Sequence, residues 1–128
     1  MHAFRQAVEA RDHDAMVALL ADDVLFHSPF AHRPFAGKDA TAAVLRAVFG
    51  IFEDFTYTDE LDGPEASGLI FTARVGDKRV QGLDLLRCGP DGRITEFTVM
   101  VRPANALMAL GEAMAPHVAE LPKAQAPA

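Results

Sequence analysis

The sequence predicts an α+β domain in which helices pack on one face of a mainly antiparallel sheet. Two patterns lead to this prediction. The first part of the chain carries apolar residues at helical spacing, interrupted by one short strand-like run. From residue 55 to residue 102 the apolar residues alternate at period two between turn residues, which is typical of consecutive antiparallel strands.

The N-terminal segment predicts two short helices. Phe4 and Val8 lie one helical turn apart, on the apolar face of the first helix. Asp12 or Asp14 can accept backbone hydrogen bonds at the start of the second helix, and the two aspartates at 22–23 stop it.

One strand and a longer helix follow. Residues 24–28 predict a strand that ends at Pro29. Residues 29–37 contain two Pro and one Gly and therefore predict a loop. Residues 38–52 predict a third helix, because their apolar side chains form a single stripe at helical spacing.

Four strands and a terminal helix complete the predicted domain. The strands are predicted at residues 55–59, 69–75, 79–88 and 93–102. Gly76 and Asp77 suit a two-residue hairpin loop, and residues 104–115 predict a further helix. Residues 1–120 are thus expected to form one domain, and the polar, Pro-rich residues 121–128 a flexible C-terminal tail.

The composition argues against several functional classes. The formal net charge of −6 disfavours nucleic acid and anionic membrane surfaces as partners. No apolar run approaches the length needed to span a bilayer, and the first residues lack the pattern of a signal peptide. Cys88 is the single cysteine, which excludes an intramolecular disulfide and a cysteine-based zinc site and indicates a reducing cytoplasm.

The most informative residue is Asp84, in the largely apolar strand run of residues 80–86. Aspartate is depleted in strands, and a carboxylate removed from water without a partner shifts its pKa. Asp84 therefore lies either where the strand reaches water or in a pocket where an acid is useful. Alternation places Gly82 and Leu86 on its face of the strand, and neither carries a charge that would stabilise the ionised form.

The opposite face of the same strands is also apolar. Leu83, Leu85, Thr98 and Met100 share this face, which an antiparallel sheet covered by helices on one side would leave exposed to water. The alternative is that these are isolated surface apolar residues, which are common. So long an apolar strand pair exceeds the usual exposed patch, and it predicts a homodimer formed through this outer face.

Several of these segments resemble the nuclear transport factor 2-like superfamily, and most closely its SnoaL-like group. Residues 20–29, LADDVLFHSP, followed by Gly37 before a helix, resemble the first strand of the family. Residues 82–87, GLDLLR, with DGRI at 91–94, resemble its final hairpin. The resemblance implies a cone, in which a strongly bent sheet wraps three N-terminal helices around a deep apolar pocket. Family members include ketosteroid isomerase, dehydratases, hydrolases, cyclases and non-catalytic binding proteins, so the fold does not fix the function.

Ketosteroid isomerase uses a general base and two oxyanion-hole groups, and this sequence resembles it at one of these three positions. The position of the general base, just before the Pro that ends the first strand, is Ser28, which cannot act as that base. The position of the oxyanion-hole tyrosine on the first helix is Phe4, which has no hydroxyl. Asp84 matches the second oxyanion-hole group, an acid kept neutral by its apolar site. Steroid isomerase activity is therefore disfavoured.

The candidate catalytic pair is Asp84 and His27. His27 would be the base, and Asp84 the acid or the group that orients the imidazole. The alternative is an inert His27 on the other face, because His27 and Ser28 cannot both point inward on a regular strand. His32, in the Pro-flanked loop, lies near the predicted pocket mouth or is simply solvated. The predicted pocket residues are Phe4, Phe26, Ser28, His32, Phe52, Phe71, Gly82, Leu86, Phe97, Val99 and Val101.

Neither a metal nor an organic cofactor is predicted. No two His stand at a ligand spacing with a carboxylate, and the chain has no Gly-rich phosphate loop. Two functional classes remain. The first is a cofactor-free acid/base isomerase, dehydratase, cyclase or hydrolase that acts on a small apolar or aromatic compound. The second is a non-catalytic binding or carrier module for such a compound.

Overall fold

The computed structural model describes residues 1–121, which form four helices and six strands. The helices are α1 (Ala3–Glu9), α2 (His13–Ala18), α3 (Lys38–Ile51) and α4 (Ala104–Ala119). The strands are β1 (Leu20–His27), β2 (Phe35–Ala36), β3 (Glu53–Asp62), β4 (Ser67–Val75), β5 (Lys78–Cys88) and β6 (Ile94–Arg102). The predicted α+β class is confirmed. Leu121 is described, but the rest of the predicted tail lies outside the described residues.

The six strands form one open sheet in the order β2-β1-β6-β5-β4-β3. The last four strands make the predicted antiparallel meander. β1 pairs with β6 in parallel. The first long strand of the chain therefore lies beside the last one in the sheet. This arrangement is consistent with the predicted cone.

Four elements differ from the sequence prediction. β2 forms within the predicted loop 29–37, and β3 runs from Glu53 to Asp62 instead of 55–59. β1 begins at Leu20 instead of residue 24, because Leu20 already pairs with Ile94 before a register shift brings Leu25 opposite Glu96. α4 continues to Ala119 instead of ending at 115, and Leu110 and Met114 bury its inner side.

The core lies on the face of the sheet that the helices cover. Aromatic rings dominate the contact between β1 and β6, where Phe26 pairs with Phe97 and their ring centroids are 5.2 Å apart. Phe4 of α1 meets the Phe97 ring edge-on at 5.1 Å. Such edge-on aromatic pairs add to the stabilisation from burial alone. These contacts fix α1 against the sheet.

Gly82 allows one aromatic ring to lie directly on the sheet. Phe71 is its cross-strand partner on β4, and the Phe71 ring covers the Gly82 backbone. A Cβ at position 82 would lie 2.8 Å from Phe71 Cε1 and closer still to Cε2 and Cζ. The glycine therefore sets the position of a ring that forms part of the site described below.

In the part of the chain that the structure describes, no helix has both the length and the apolarity needed to cross a membrane.

Candidate functional site

An apolar cavity of about 110 Å³ lies between the helices and the inner face of the sheet. α3 contributes Val44, Leu45, Val48 and Phe49, because its apolar stripe faces the sheet. α4 contributes Leu110, Met114 and Val118. The strands contribute Phe26, Phe35, Phe55, Phe71, Asp84, Phe97 and Val99, and the remaining lining residues are Ser28, Pro29, Phe30, Ala31 and Phe52.

Asp84 is the titratable group on this wall. Its strand neighbours across the sheet are Leu69 on β4 and Val99 on β6, and its side chain is only 4% exposed. The hydroxyl of Tyr57, on β3, donates a hydrogen bond to Asp84 Oδ2 over 3.2 Å. Tyr57 is itself 5% exposed, so the pair is withdrawn from water.

Burial controls the protonation of this pair. Removal from water raises the pKa of Asp84 to about 7, although the hydrogen bond from Tyr57 partly opposes this shift. The pKa of Tyr57 is also raised, first by its own burial and then by the negative charge of Asp84. Near neutral pH, Asp84 therefore exists both as a carboxylic acid and as a carboxylate, whereas Tyr57 keeps its proton. Such a shifted group in a cavity marks a candidate functional site.

The structure divides the predicted pocket residues into two groups. On the cavity wall lie Phe26, Ser28, Phe52, Phe71, Phe97 and Val99. The others are not part of the wall: Phe4, His32, Gly82, Leu86 and Val101.

Each of these exceptions has a physical reason. Phe4 and Leu86 are buried in the core, and Phe97 lies between Phe4 and the cavity. Gly82 is covered by the Phe71 ring, and Val101 pairs with Gly82 at a position outside the cavity lining. His32 is exposed on the loop between β1 and β2.

The structure does not bring His27 and Asp84 together. Phe26 points into the core, so the next residue along the strand, His27, points to the opposite face. There the Nε2 atom of His27 lies 3.2 Å from Glu96 Oε2. The expected catalytic pair is corrected accordingly: the group that contacts Asp84 is the Tyr57 hydroxyl, not the imidazole.

The sequence pattern predicts Tyr57 on a strand and does not assign it to the site. A signal was present, because Tyr57 is the single tyrosine of the chain and lies two residues after Phe55, on the same strand face. A buried tyrosine hydroxyl usually has a hydrogen-bond partner. The identity of that partner depends on the β3–β4–β5 register, in which Tyr57 faces Phe71, and Phe71 faces Gly82, two residues from Asp84.

The site offers hydrogen-bonding groups. Asp84 and Ser28 are the polar side chains on the wall of the cavity. Across residues 1–121, no group of three or more His, Cys, Asp or Glu is placed to hold a metal ion. The arrangement suits a small apolar molecule that carries a hydrogen-bonding oxygen.

Comparisons with known proteins place this fold and sequence in a family. The SnoaL-like domain model matches residues 1–97. A steroid delta-isomerase from Pseudomonas aeruginosa is 40% identical, with 91% of this chain and 86% of that chain covered and a TM-score of 0.86. An uncharacterised bacterial protein with a cystatin-like fold, from Silicibacter pomeroyi, is 31% identical over 94% of this chain and 88% of that chain, with a TM-score of 0.85.

A nuclear transport factor 2-like protein of unknown function from Burkholderia pseudomallei shares the fold at 17% identity, covering 84% of this chain and 92% of that chain with a TM-score of 0.67. No curated protein sequence matches the chain. The protein therefore belongs to the SnoaL-like domain family of the nuclear transport factor 2-like superfamily.

Proposed function

We propose that this protein binds a small apolar molecule that carries one oxygen acceptor, such as a ketone, in the cavity beside Asp84. The observation that carries the proposal is a buried carboxyl group on an otherwise almost entirely apolar wall. The apolar body of the ligand would fill the cavity, and the neutral carboxyl group would donate a hydrogen bond to its oxygen.

The Tyr57 contact supports this division of roles between the two carboxyl oxygens. Oδ2 accepts the hydrogen bond from Tyr57. Oδ1 is therefore the oxygen that can carry the proton and donate a hydrogen bond to a ligand. A donor held in an apolar site keeps its full strength, because no water competes for the hydrogen bond. Because the pKa of Asp84 is about 7, the protonated acid that donates this hydrogen bond is present at neutral pH and below.

The cavity volume limits the size of the ligand. A cavity of about 150 Å³ lined by apolar side chains holds benzene. The cavity here is about 110 Å³, so a compound with one small ring fits with slight adjustment of the wall. A four-ring steroid does not fit unless several aromatic side chains move.

An isomerase is the second candidate, and the 40% identity to the steroid delta-isomerase favours it. In this reaction the Asp84 carboxylate would take the α-proton of a β,γ-unsaturated ketone, which leaves a dienolate, and would return the proton to the γ-carbon. One carboxyl group then serves as base and acid in turn. The absence of a base at Ser28 and of a hydroxyl at Phe4 makes this the weaker candidate.

The two functions require opposite protonation states of Asp84, and this difference can be measured. For binding, we would titrate acetophenone and ethylbenzene, which has nearly the same shape but no oxygen, into the protein by NMR at pH 6 and pH 9. We expect acetophenone to bind about 5-fold more tightly than ethylbenzene at pH 6, as one net hydrogen bond provides, and about equally at pH 9. Failure of both compounds to bind would refute the proposed function.

For catalysis, we would follow the conversion of cyclohex-3-enone to cyclohex-2-enone by the ultraviolet absorbance of the conjugated product. An isomerase that uses the carboxylate should gain activity as the pH rises through about 7. Asp84→Asn should abolish the reaction but leave ethylbenzene binding unchanged. A rate equal to that of the Asp84→Asn variant at every pH would exclude this second candidate.

We also propose that the protein is a homodimer through the outer sheet face and acts in the cytoplasm. Met100, on that face, is 51% exposed, and Leu83 and Leu85 lie beside it. Met100→Glu should shift the sedimentation of the protein from dimer to monomer. Met108→Glu is the matched control, because Met108 is 67% exposed on α4, away from this face. Sedimentation of the wild-type protein as a monomer at micromolar concentration would refute the dimer.

A further inference from the structure

A second, larger cleft adjoins the cavity. It has a volume of about 850 Å³ and lies between α1, α2, the end of α3 and the start of β3. Unlike the cavity, it is lined by charged groups. Three arginines, Arg11, Arg46 and Arg74, line it together with three carboxylates.

Each carboxylate of the cleft lies within ion-pair distance of an arginine, whereas two of the arginines have no carboxylate partner within residues 1–121. Glu53 and Asp54 both form ion pairs with Arg74. Glu9 pairs with Arg5, whose Nε lies 3.2 Å from Glu9 Oε2.

Arg11 and Arg46, by contrast, form no ion pair within residues 1–121. His13 also lines the cleft, and its pKa is lowered by burial and by the positive charge of Arg46. The cleft therefore holds two unpaired guanidinium groups in a protein whose formal net charge is −6.

Only aromatic side chains separate the cleft from the cavity. Within residues 1–121, the residues that line both spaces are Phe49, Phe52 and Phe55. The ring centroids of Phe49 and Phe55 are 5.3 Å apart, and those of Phe52 and Phe55 are 5.7 Å apart. All three side chains are partly exposed. Rotation of one of these rings would join the two spaces and would leave the helices and strands in place.

The backbone at Arg11 is the second observation. Its φ of 55° lies in the left-handed region, where glycine is favoured. Arg11 follows the C-cap of α1, where its N–H bonds to the Val8 carbonyl and the Asp12 N–H to the Ala7 carbonyl, both over 2.9 Å. Helices commonly place glycine at this position. Asp54, the other described non-glycine residue with positive φ, lines the same cleft. Such outliers concentrate at functional sites.

We propose that the cleft is the anion-binding half of the ligand site, and that the ligand is an apolar organic acid. Its apolar end would occupy the cavity, its chain would pass between the three phenylalanine rings, and its carboxylate would bind Arg11 and Arg46. Guanidinium groups suit this task, because their paired N–H donors match the two oxygens of a carboxylate. This inference rests on the proposed function, since it requires that the cavity binds an apolar group.

The experiment compares 5-phenylpentanoate with its primary amide, which has nearly the same shape but no charge. We would measure both affinities by isothermal titration calorimetry at low salt. The acid should bind the wild-type protein about 10-fold more tightly than the amide, and added salt should reduce this ratio. Arg46→Gln should lower the affinity for the acid about 5-fold and leave that for the amide unchanged.

Arg11→Gly provides the most specific test, because it removes the charge and relieves the backbone at once. We expect the melting temperature to rise by about 3 °C, since glycine favours a positive φ, while the preference for the acid falls about 5-fold. A merely structural role of Arg11 would not produce opposite changes in stability and binding. Arg87→Gln is the matched control, because Arg87 is exposed and does not line the cleft.

The outcomes separate this inference from the proposed function. If the amide and acetophenone bind but the acid binds no more tightly, the cleft inference is wrong and the proposed function stands. If acid and acetophenone bind at the same time instead of competing, the ligand does not enter the cavity, which also overturns the inference. If no neutral compound binds, both proposals fail. Competition with acetophenone together with the loss of acid preference in Arg11→Gly would support the inference.

Discussion

Replacing Asp84 with asparagine tests the central feature of the site, a carboxyl group kept neutral by burial. The amide has nearly the shape of the carboxyl group but cannot ionise. Its oxygen can still accept the hydrogen bond from Tyr57 at the position of Oδ2. Its amino group takes the place of Oδ1 and donates into the cavity, as the protonated acid would.

The expected effect follows from the difference in pKa between the folded and unfolded states. The pKa of Asp84 is about 7 in the folded protein, against an ordinary value of 3.8. The folded state therefore binds the proton more tightly, and the free energy of unfolding falls as the pH rises from about 4 to about 7. Each pKa unit corresponds to 1.36 kcal/mol, so the total loss is about 4 kcal/mol. Above about pH 7 the loss is complete and the contribution becomes constant.

Asp84→Asn should remove this pH dependence and change the order of stability. At pH 5 the variant should be less stable than the wild type by about 1–3 kcal/mol, because its amide carries two N–H donors where the neutral acid carries one O–H, and the additional donor lacks a partner in the apolar cavity. At pH 8 Asp84 of the wild type is ionised, and the wild type has lost the full stabilisation of about 4 kcal/mol given above. The variant should then be the more stable of the two. Urea unfolding of both proteins from pH 5 to pH 9 measures the difference, in which the other titrating groups cancel. Parallel pH profiles for the two proteins would refute the buried-acid reasoning.

Three further substitutions test the surroundings of Asp84. Gly82→Ala should destabilise the protein by about 1–3 kcal/mol in urea unfolding and weaken acetophenone binding, because the new Cβ displaces the Phe71 ring. An unchanged free energy of unfolding and an unchanged affinity would contradict the packing described. Tyr57→Phe should raise the pKa of Asp84 above about 7, because the hydroxyl that lowers this pKa is lost. A lower pKa in an NMR titration of the Asp84 carboxyl carbon would contradict this expectation. Val48→Phe should fill the cavity and abolish ethylbenzene binding with little loss of stability, and retained affinity in titration calorimetry would place the ligand elsewhere.

The fold could be predicted because its determinants are local in the sequence. Period-two alternation between clear turn residues defined β4, β5 and β6 to within about two residues at each end. The apolar stripe of α3 likewise appears within a single run of the chain. The short strand β2 was missed because it has two residues, Phe35 and Ala36, and forms only through pairing with β1. A segment of that length has no periodicity to recognise.

The site was harder to predict because it depends on strand register and on which way each side chain points. A shift of one residue along β1 exchanges His27 for Ser28 at the cavity, and the sequence does not fix that choice. The structure fixes it through the pairing of Phe26 with Phe97. Asp84 could be singled out because a carboxyl group in an apolar strand is unusual by itself. Its pairing with Tyr57 could not be predicted, since 27 positions separate the two residues and only the β3–β4–β5 register joins them.

The cost of Asp84 also indicates how a ligand would act on the protein. About 4 kcal/mol is a large part of the 5–15 kcal/mol by which small domains are usually stable, and an apolar side chain would avoid that cost. A ligand oxygen that accepts a hydrogen bond from the neutral acid favours the protonated form and raises the pKa of Asp84 further. Binding such a ligand above pH 7 must therefore take up a proton from the solution, as linkage requires. The stabilisation of the protein by that ligand would then decrease as the pH rises, since each added unit makes the required proton scarcer.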